Sequence, residues 1–503
     1  MHARLRPDET ITAEDLARGR RAMVHDAAWA TLVGALYGGV ILVGFALELG
    51  ATPFVIGLIA AIPFLAQVAQ LPAVVLIERL RQRRKLAVLV VTAARLLILS
   101  LALLPWLVEG TTRLWIVVAA QVLITLLGAM AGCAVNSWFH QLLAGRELGS
   151  LYAQRLFWST VLASLGALAA GHAVEHWPFG DKLHGYAACF AVAGLVGFIG
   201  VRALMRIPEP VMHTTGPQQP LLELLRGPLS DPNFRRLIVF MASWNFASNL
   251  AGPFLTVYLL QQLGFGLGTV TALWAASQMS NALTLYAWGR ISDRLSNKGI
   301  LATALPAYFA CLIGLPAASL PDQHVLTLPL IAIIHVVMGM ASGGIGLATG
   351  NIGLKLAPQG RGTAYLASVS LAGAFAGGMA ALMGGALADW FASVELTLQL
   401  RWSSLTTSGQ IVAMQFQHWE FLFGIAFALG LYVLHALSRV QEGPEVSERE
   451  VIRDFVMQAG RVFGEMSSTV ATSLAIVFPF GRVFDRRRRT RASERQLLGS
   501  GNP

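Results

Sequence analysis

The side chains of this chain that could do chemistry are polar groups standing inside long apolar runs. Asn245, Ser248 and Asn249 recur at i, i+3 and i+4 beside Trp244, which puts three hydrogen-bonding groups on one helical face. Gln278 and Asn281 repeat the i, i+3 spacing with Trp274 on the same stripe, and Gln121 with Thr125 and Gln67 with Gln70 are similar pairs. Asp26, Trp29 and Tyr37 share one run, and His335 stands alone in another. Amides, hydroxyls and aromatic rings bind a polar molecule by hydrogen bonds and stacking rather than by making or breaking bonds. A polar group in such a run is costly unless partnered. Each is therefore a substrate-contact candidate or a bond between helices. No Asp or Glu lies near the middle of any run; Glu48, Glu175 and Asp389 fall at run ends. A mid-run carboxylate relay for protons is thus unsupported, which leaves His335 or Asp26 as the titratable candidates. No Ser-His-Asp, CxxC or HExxH arrangement and no phosphate loop is present. Cys133, Cys189 and Cys311 lie in apolar runs without ligand partners. The chain reads as neither an enzyme nor an ATP-driven pump, with no metal and no cofactor.

What must position these groups is a set of membrane helices. Hydrophobic residues make up 55% of the 503 and charged residues 13%, against about 25% charged in ordinary soluble domains. Only a bilayer makes that composition tolerable. Apolar stretches of spanning length fall near 24–46, 54–77, 86–107, 113–135, 156–177 and 185–205, then near 237–260, 267–288, 300–320, 327–350, 365–389 and 420–438. The expected fold class is an all-α membrane protein with twelve transmembrane helices. The net charge of +10 sits between the runs, so it speaks for topology and lipid headgroups rather than nucleic acid. Arginines crowd alternate loops, including Arg79, Arg81, Arg83, Arg84, Arg146, Arg290, Arg294 and Arg361, whereas the other loops hold only Arg113, Lys182 and Arg401. Both termini are then expected to be cytoplasmic. Trp106, Trp115, Trp177, Trp390 and Trp419 form the outer aromatic belt. Around 391–418, period-two alternation flanks a Thr-Thr-Ser-Gly turn, which suits an outward β-hairpin or a loosely structured apolar loop.

One register recurs through the chain. Trp29 and Trp244 are 244 − 29 = 215 residues apart, and the same offset joins Arg20-Arg21 to Arg235-Arg236, Glu78-Arg79 to Asp293-Arg294, Asn136 to Asn351 and Gly145-Arg146 to Gly360-Arg361. Two halves of like fold and like orientation follow. The expected divisions are an N-terminal segment 1–23, a six-helix bundle 24–206, a proline-rich cytoplasmic linker 207–234 containing an amphipathic Leu221 to Leu225, a second bundle 235–440, and a tail 441–503. The tail carries apolar residues at helical spacing, then Arg486 to Arg489 and Arg491, and reads as an interfacial helix with anionic-lipid contact or as a disordered segment.

The loop after the second run holds Glu78, Arg79, Arg83, Arg84 and Lys85; that after the eighth holds Gly289, Asp293, Arg294 and Lys298. Here the chain resembles the major facilitator superfamily, whose signature in these two loops is G-x-x-x-D-R-x-G-x-R/K-R/K. The second copy has Ser296 for the second glycine; the first has Val74 and Arg81 for the glycines and Glu78 for the aspartate. The resemblance covers about 20–440. It implies two six-helix bundles that rock around a midplane site, a latch role for Glu78 and Asp293, coupling turns at Arg146 and Arg361, and a cavity lined by the first, fourth, seventh and tenth helices. Asp26, Trp29, Tyr37, Gln121, Thr125, Trp244, Asn245, Asn249 and His335 stand on those helices. The superfamily's antiporter motif is missing from the fifth helix, where Gly166 to Gly171 contains no proline. The expected activity is alternating-access transport, secondary active or facilitated, of a small neutral, amphipathic or weakly charged organic solute by a monomer in a bacterial inner membrane. A lipid flippase on the same fold, or a non-transporting receptor or assembly factor working through hairpin and tail, are the competing readings. A flippase would present polar cavity groups to lipid, and a receptor would lose its partner when the tail is removed.

Overall fold

The computed structural model describes residues 7–143, 148–212, 227–294, 296–319, 323–358, 362–403, 408–443, 449–455 and 457–458. Among these residues twelve long helical segments lie side by side. Span one joins α1 (Ala13–Tyr37) to α2 (Gly39–Glu48). Span two joins α3 (Pro53–Leu65) to α4 (Gln70–Leu80) through a 3-10 turn. Spans three to six are α5 (Arg83–Leu101, followed by the short α6, Leu104–Leu107), α7 (Thr112–Leu142), α8 (Leu148–Glu175) and α9 (Lys182–Leu204). Spans seven to eleven are α10 (Pro232–Val257), α11 (Leu267–Arg294), α12 (Asn297–Ala317), α13 (Thr327–Leu356) and α14 (Gly362–Phe391), and span twelve is α15 (Trp419–Ser438). Nine of these segments, among the described residues, are long and apolar enough to cross a membrane; α5, α10 and α11 fall short.

The starts of the helices are written in short polar residues. Thr12 and Asp15 form a capping box at α1, which begins well before the apolar run proper. Thr52 before Pro53 caps α3, and Asp231 before Pro232 accepts from the Asn233 and Phe234 amides at 2.9 and 3.0 Å. Each pairs an N-cap oxygen with a proline that needs no amide partner.

Spans one, three, four, five and six pack among themselves, as do spans seven to twelve, and the two groups meet along span two against span eleven and span five against span eight. Large apolar side chains such as Leu89, Leu165, Leu195 and Phe375 remain exposed, as a lipid-facing surface requires. Between spans eleven and twelve stand β1 (Glu395–Ser403) and β2 (Ser408–Gln417), antiparallel, with Glu395 opposite Gln417 and a bulge at Leu398/Gln399. The alternation around the turn is a hairpin, not a loose loop. We call this end of the bundle pair the hairpin face and the opposite end the linker face. The described part of the tail folds back on span eight at the linker face, where Phe455 stacks on Trp288 at 4.2 Å and Gln458 accepts from Arg290 at 3.2 Å.

Candidate functional site

Span one is broken in mid-membrane. Gly38 donates to the Gly34 carbonyl at 2.8 Å, and Gly39 then adopts φ +52°, a left-handed conformation that costs other residues about 1–2 kcal/mol. The half-helix that follows starts with no side-chain cap. Broken backbone at this depth is tolerated where it lines a cavity, and here it does. A cavity of about 580 Å³ lies between spans one, five and eight, with Thr31, Gly34, Gly38 and Gly39 in its wall. Span five contributes Tyr152, Arg155, Ser159 and Thr160, span eight Thr271, Trp274 and Gln278, and span four Asn136. Gly252-Pro253, 252 − 38 = 214 residues on, falls within one residue of the repeat register in span seven, where the helix nevertheless runs on through it. Paired Gly/Pro interruptions in corresponding helices of two halves mark a midplane site, and this signal was available in the sequence.

Arg155 is the fixed charge of the cavity wall. Its guanidinium lies 5.1 Å from the Phe139 ring centre and 5.4 Å from that of Tyr152, which holds a flat cation by its faces and leaves its edge for hydrogen bonds. The cations acting on Asp26 are Arg155 and Arg95, and Arg95 runs across Gly197 of span six. Asp26 therefore belongs to a charge group shared by spans one, three and five.

Most other candidates turn to partners in their own bundle. Tyr37 donates to Gln121 at 2.6 Å in a buried bond between spans one and four, and Thr125 donates back to the Gln121 carbonyl at 2.7 Å. Trp29 packs over Gly200 of span six. Trp244 meets Tyr308 and Phe309 of span nine edge-on at 5.0 and 5.8 Å. Asn245 and Asn249 each donate to the carbonyl four residues back, at 2.9 and 2.8 Å, and lie against Gly373 and Gly377 of span eleven. Asn281 faces Gly343 of span ten. His335 is buried, with Nδ1 2.9 Å from the Ile331 carbonyl. Gln67 and Gln70 are exposed and bonded to each other. Gln278 is the one member of the candidate set in the cavity wall. Tyr152, Arg155 and Asn136 are the ones that sequence reasoning missed, Asn136 having served only as a marker of the repeat.

The two faces of the bundle pair differ. At the hairpin face, Glu175 at the end of span five accepts the Gly268 amide at the start of span eight at 2.6 Å. Asp389 near the end of span eleven accepts the Phe54 amide at the start of span two at 3.1 Å. The pairs are related by the duplication, since 389 − 175 = 214 and 268 − 54 = 214. Each carboxylate of one bundle thus meets the positive helix end of the other. Between these bonds the backbones approach closely: a Cβ on Gly385 would lie 2.8 Å from the Pro53 carbonyl oxygen, and one on Gly171 would overlap Thr271.

At the linker face the same device works within each bundle. Glu209, after span six, accepts the Arg83 amide at 2.5 Å at the start of span three, and its carboxylate lies 3.6 Å from the Arg83 guanidinium. Arg83 also donates to Gln141 at 2.6 Å, and Arg84 pairs with Asp8 at 3.3 Å. Glu442, after span twelve, accepts the Lys298 and Asn297 amides at 2.6 and 3.1 Å at the start of span nine, and Lys355 Nζ at 3.2 Å. Glu78 is half-buried, Arg79 exposed, and Gly289 open on its Cβ side. The side chains of Asp293 and Arg294, together with Arg146, Arg361, the 213–226 stretch of the linker and the basic end of the tail, lie outside the described residues. Span two states the asymmetry in one helix: α3, its hairpin-side half, packs on span eleven across the interface, whereas α4 packs on span four of its own bundle.

A family model described as Major Facilitator Superfamily matches residues 27–368. No curated protein matches the chain. Among solved structures, the chain is similar to the nucleoside transporter NupG at 12% identity and a TM-score of 0.59, over 86% of this chain and 100% of that one. It is equally similar to a D-xylose–proton symporter, at 12% and 0.59 over 86% and 97% of the two chains. A bacterial homologue of the human lysosomal transporter Spinster, inward-facing and unoccupied, follows at 13% identity and 0.56 over 90% and 98%. At such identities the likeness is one of fold.

Proposed function

The chain belongs to the Major Facilitator Superfamily of transporters, and from that premise we infer that it carries a small polar solute between two six-helix bundles by alternating access, the described state opening toward the linker face. The linker face is the cytoplasmic one, on the distribution of arginine between loops, and the membrane is a bacterial inner membrane. The observation that carries the reading is the reciprocal pair of carboxylate-to-amide bonds, Glu175 to Gly268 and Asp389 to Phe54, which bind the bundles at the hairpin face. A cavity of about 580 Å³ beneath that closure has the volume of a site for one small ligand.

The wall defines the cargo by chemistry. Gln278, Asn136, Ser159 and Thr160 offer donors and acceptors, Trp274 a stacking face, and Arg155 a cation. The start of α2, Gly39 to Ile41, has no side-chain cap and stands in the cavity wall, which places its first backbone amides at the cavity. A hydroxyl-rich molecule of sugar or nucleoside size, carrying at most one acidic group toward Arg155, fits these groups. Nucleosides and a pentose are the cargoes named for two of the structural neighbours. In the opposite state the hairpin-side bonds break, and Glu78 and Asp293 are the candidates to hold the linker face shut.

Cross-linking combined with uptake tests this. A Cβ on Gly268 would stand 3.8 Å from the His172 Cα, within reach of a disulfide. With Cys133, Cys189 and Cys311 replaced, His172→Cys with Gly268→Cys is reconstituted into proteoliposomes and offered labelled sugars, nucleosides and organic anions, with and without a pH gradient. Uptake of one class that stops on oxidation and returns on reduction is expected. Full uptake by the cross-linked protein would overturn the reading.

A further inference from the structure

A second cavity, of about 660 Å³, lies away from the bundle interface at the linker face of the first bundle, between the start of span one and the end of span six. On span one, Arg18, Arg21, His25 and Trp29 follow one another at i, i+3, i+7 and i+11 and share a face. On span six, Arg202 and Arg206 stand one turn apart above Ile199. Arg84 reaches in from the start of span three.

The charges in this pocket do not balance. Its carboxylates are Asp15 and Asp8, and both are occupied: Asp15 pairs with Arg18 at 2.5 Å and Asp8 with Arg84 at 3.3 Å. Arg21, Arg202 and Arg206 make no side-chain hydrogen bond or ion pair among the described residues, and all three are exposed. Three unpaired guanidinium groups from two helices therefore converge on one concavity. The polarity is graded along the membrane normal. The arginines ring the end nearest the linker face, and the deeper wall is Trp29 and Ile199, the latter 46% exposed. A charged mouth over an apolar floor on a membrane helix suits a ligand with an anionic head and a hydrocarbon body.

We propose that this pocket binds the phosphate of an anionic phospholipid, with Arg21, Arg202 and Arg206 as its ligands and an acyl chain laid along Ile199 and Trp29. The site is separate from the transport cavity, and the proposal stands whatever solute that cavity carries. Phosphate is the group that arginine clusters hold best, because each guanidinium offers two parallel donors to it. Inorganic phosphate shares the head chemistry but would leave the apolar floor without a function.

The test is lipid retention by the purified full-length chain, read by native mass spectrometry after exchange into detergent with equimolar phosphatidylglycerol and phosphatidylcholine of the same acyl chains. Preferential retention of one phosphatidylglycerol is expected. Arg202→Ala with Arg206→Ala should lower that preference by about fivefold per arginine removed, and Arg79→Ala, on the same face but outside the pocket, should not change it. Should the double variant fail to fold, the wild-type protein still decides: phosphatidylglycerol, but not millimolar inorganic phosphate, is expected to protect Arg206 from modification by phenylglyoxal. Equal retention of the two lipids, an unchanged preference in the double variant, or displacement of the lipid by millimolar inorganic phosphate would each overturn the proposal.

Discussion

The hairpin face and the linker face use one device in two ways. At both, an acidic side chain at or beyond the end of one helix accepts the free amides at the start of another. At the hairpin face donor and acceptor belong to different bundles, whereas at the linker face Glu209 serves span three and Glu442 serves span nine within their own bundles. The first arrangement must break when the bundles part, and the second is indifferent to their parting. A duplicated fold thus obtains an end clasped between its bundles and an end braced within each of them from the same chemistry, by choosing which helix each carboxylate reaches.

The largest expected effect on uptake tests the closed end by bulk. Gly171→Leu would put a branched side chain where Thr271 already lies, and overpacking of this kind costs about 1–3 kcal/mol. Uptake should fall at least about tenfold, and Thr271→Gly in the same protein should restore part of it. Loss of expression rather than of turnover would move the effect from gating to folding.

Next comes the charge itself. An anionic helix cap contributes about 1–2 kcal/mol. Glu175→Ala with Asp389→Ala should therefore shift the balance toward opening at the hairpin face by about thirty- to a thousandfold. The His172/Gly268 cross-link should then form correspondingly more slowly. Neither Glu209→Ala nor Glu442→Ala should alter that rate, because their bonds do not cross the interface.

Asp293→Asn comes third. If the linker face is latched in the other half of the cycle, turnover should fall several-fold with membrane levels unchanged; unchanged uptake would remove Asp293 from the cycle.

The smallest effect concerns acid. Burial raises the Glu442 carboxyl, but the bonds from Lys298, Asn297 and Lys355 outweigh it and hold its pKa below the ordinary value. Its folded-state pKa is depressed, so its contribution to stability is present above about pH 4.3, the unfolded value, and is lost as pH falls through the lowered one. Thermal unfolding in detergent should show that loss below about pH 4.3, and Glu442→Gln should flatten it.

Much of the fold could be read from the sequence. Run lengths, loop arginines and the 215-residue register led to the duplicated helices, and alternation around the Thr-Thr-Ser-Gly turn led to the hairpin. The site was less legible, for physical reasons. Asn245, Asn249 and Thr125 are polar at membrane depth, yet each can satisfy itself on a carbonyl one turn back, so polarity alone does not reveal which way a residue faces. Tyr37 and Gln121 satisfy each other. Arg155 was hidden by the opposite ambiguity, since an arginine near a helix start is what topology requires anyway. Glu175 and Asp389 could be seen at helix ends, but the partner of a helix-end carboxylate is a fact of three-dimensional packing. Gly38-Gly39, at the repeat position of Gly252-Pro253, was a signal in the sequence that could have pointed to the cavity.

The central claim is that the hairpin-side bonds hold the described state. Spin labels at Tyr152 and Tyr286 report the linker face, and labels at Phe179 and Gln261 the hairpin face, all four positions being exposed. Electron–electron distance distributions should show the hairpin pair close and the linker pair apart in the otherwise native protein. With Glu175→Ala and Asp389→Ala added, the populations should move toward the reverse. Distributions at both faces that stay the same after those substitutions would contradict the account.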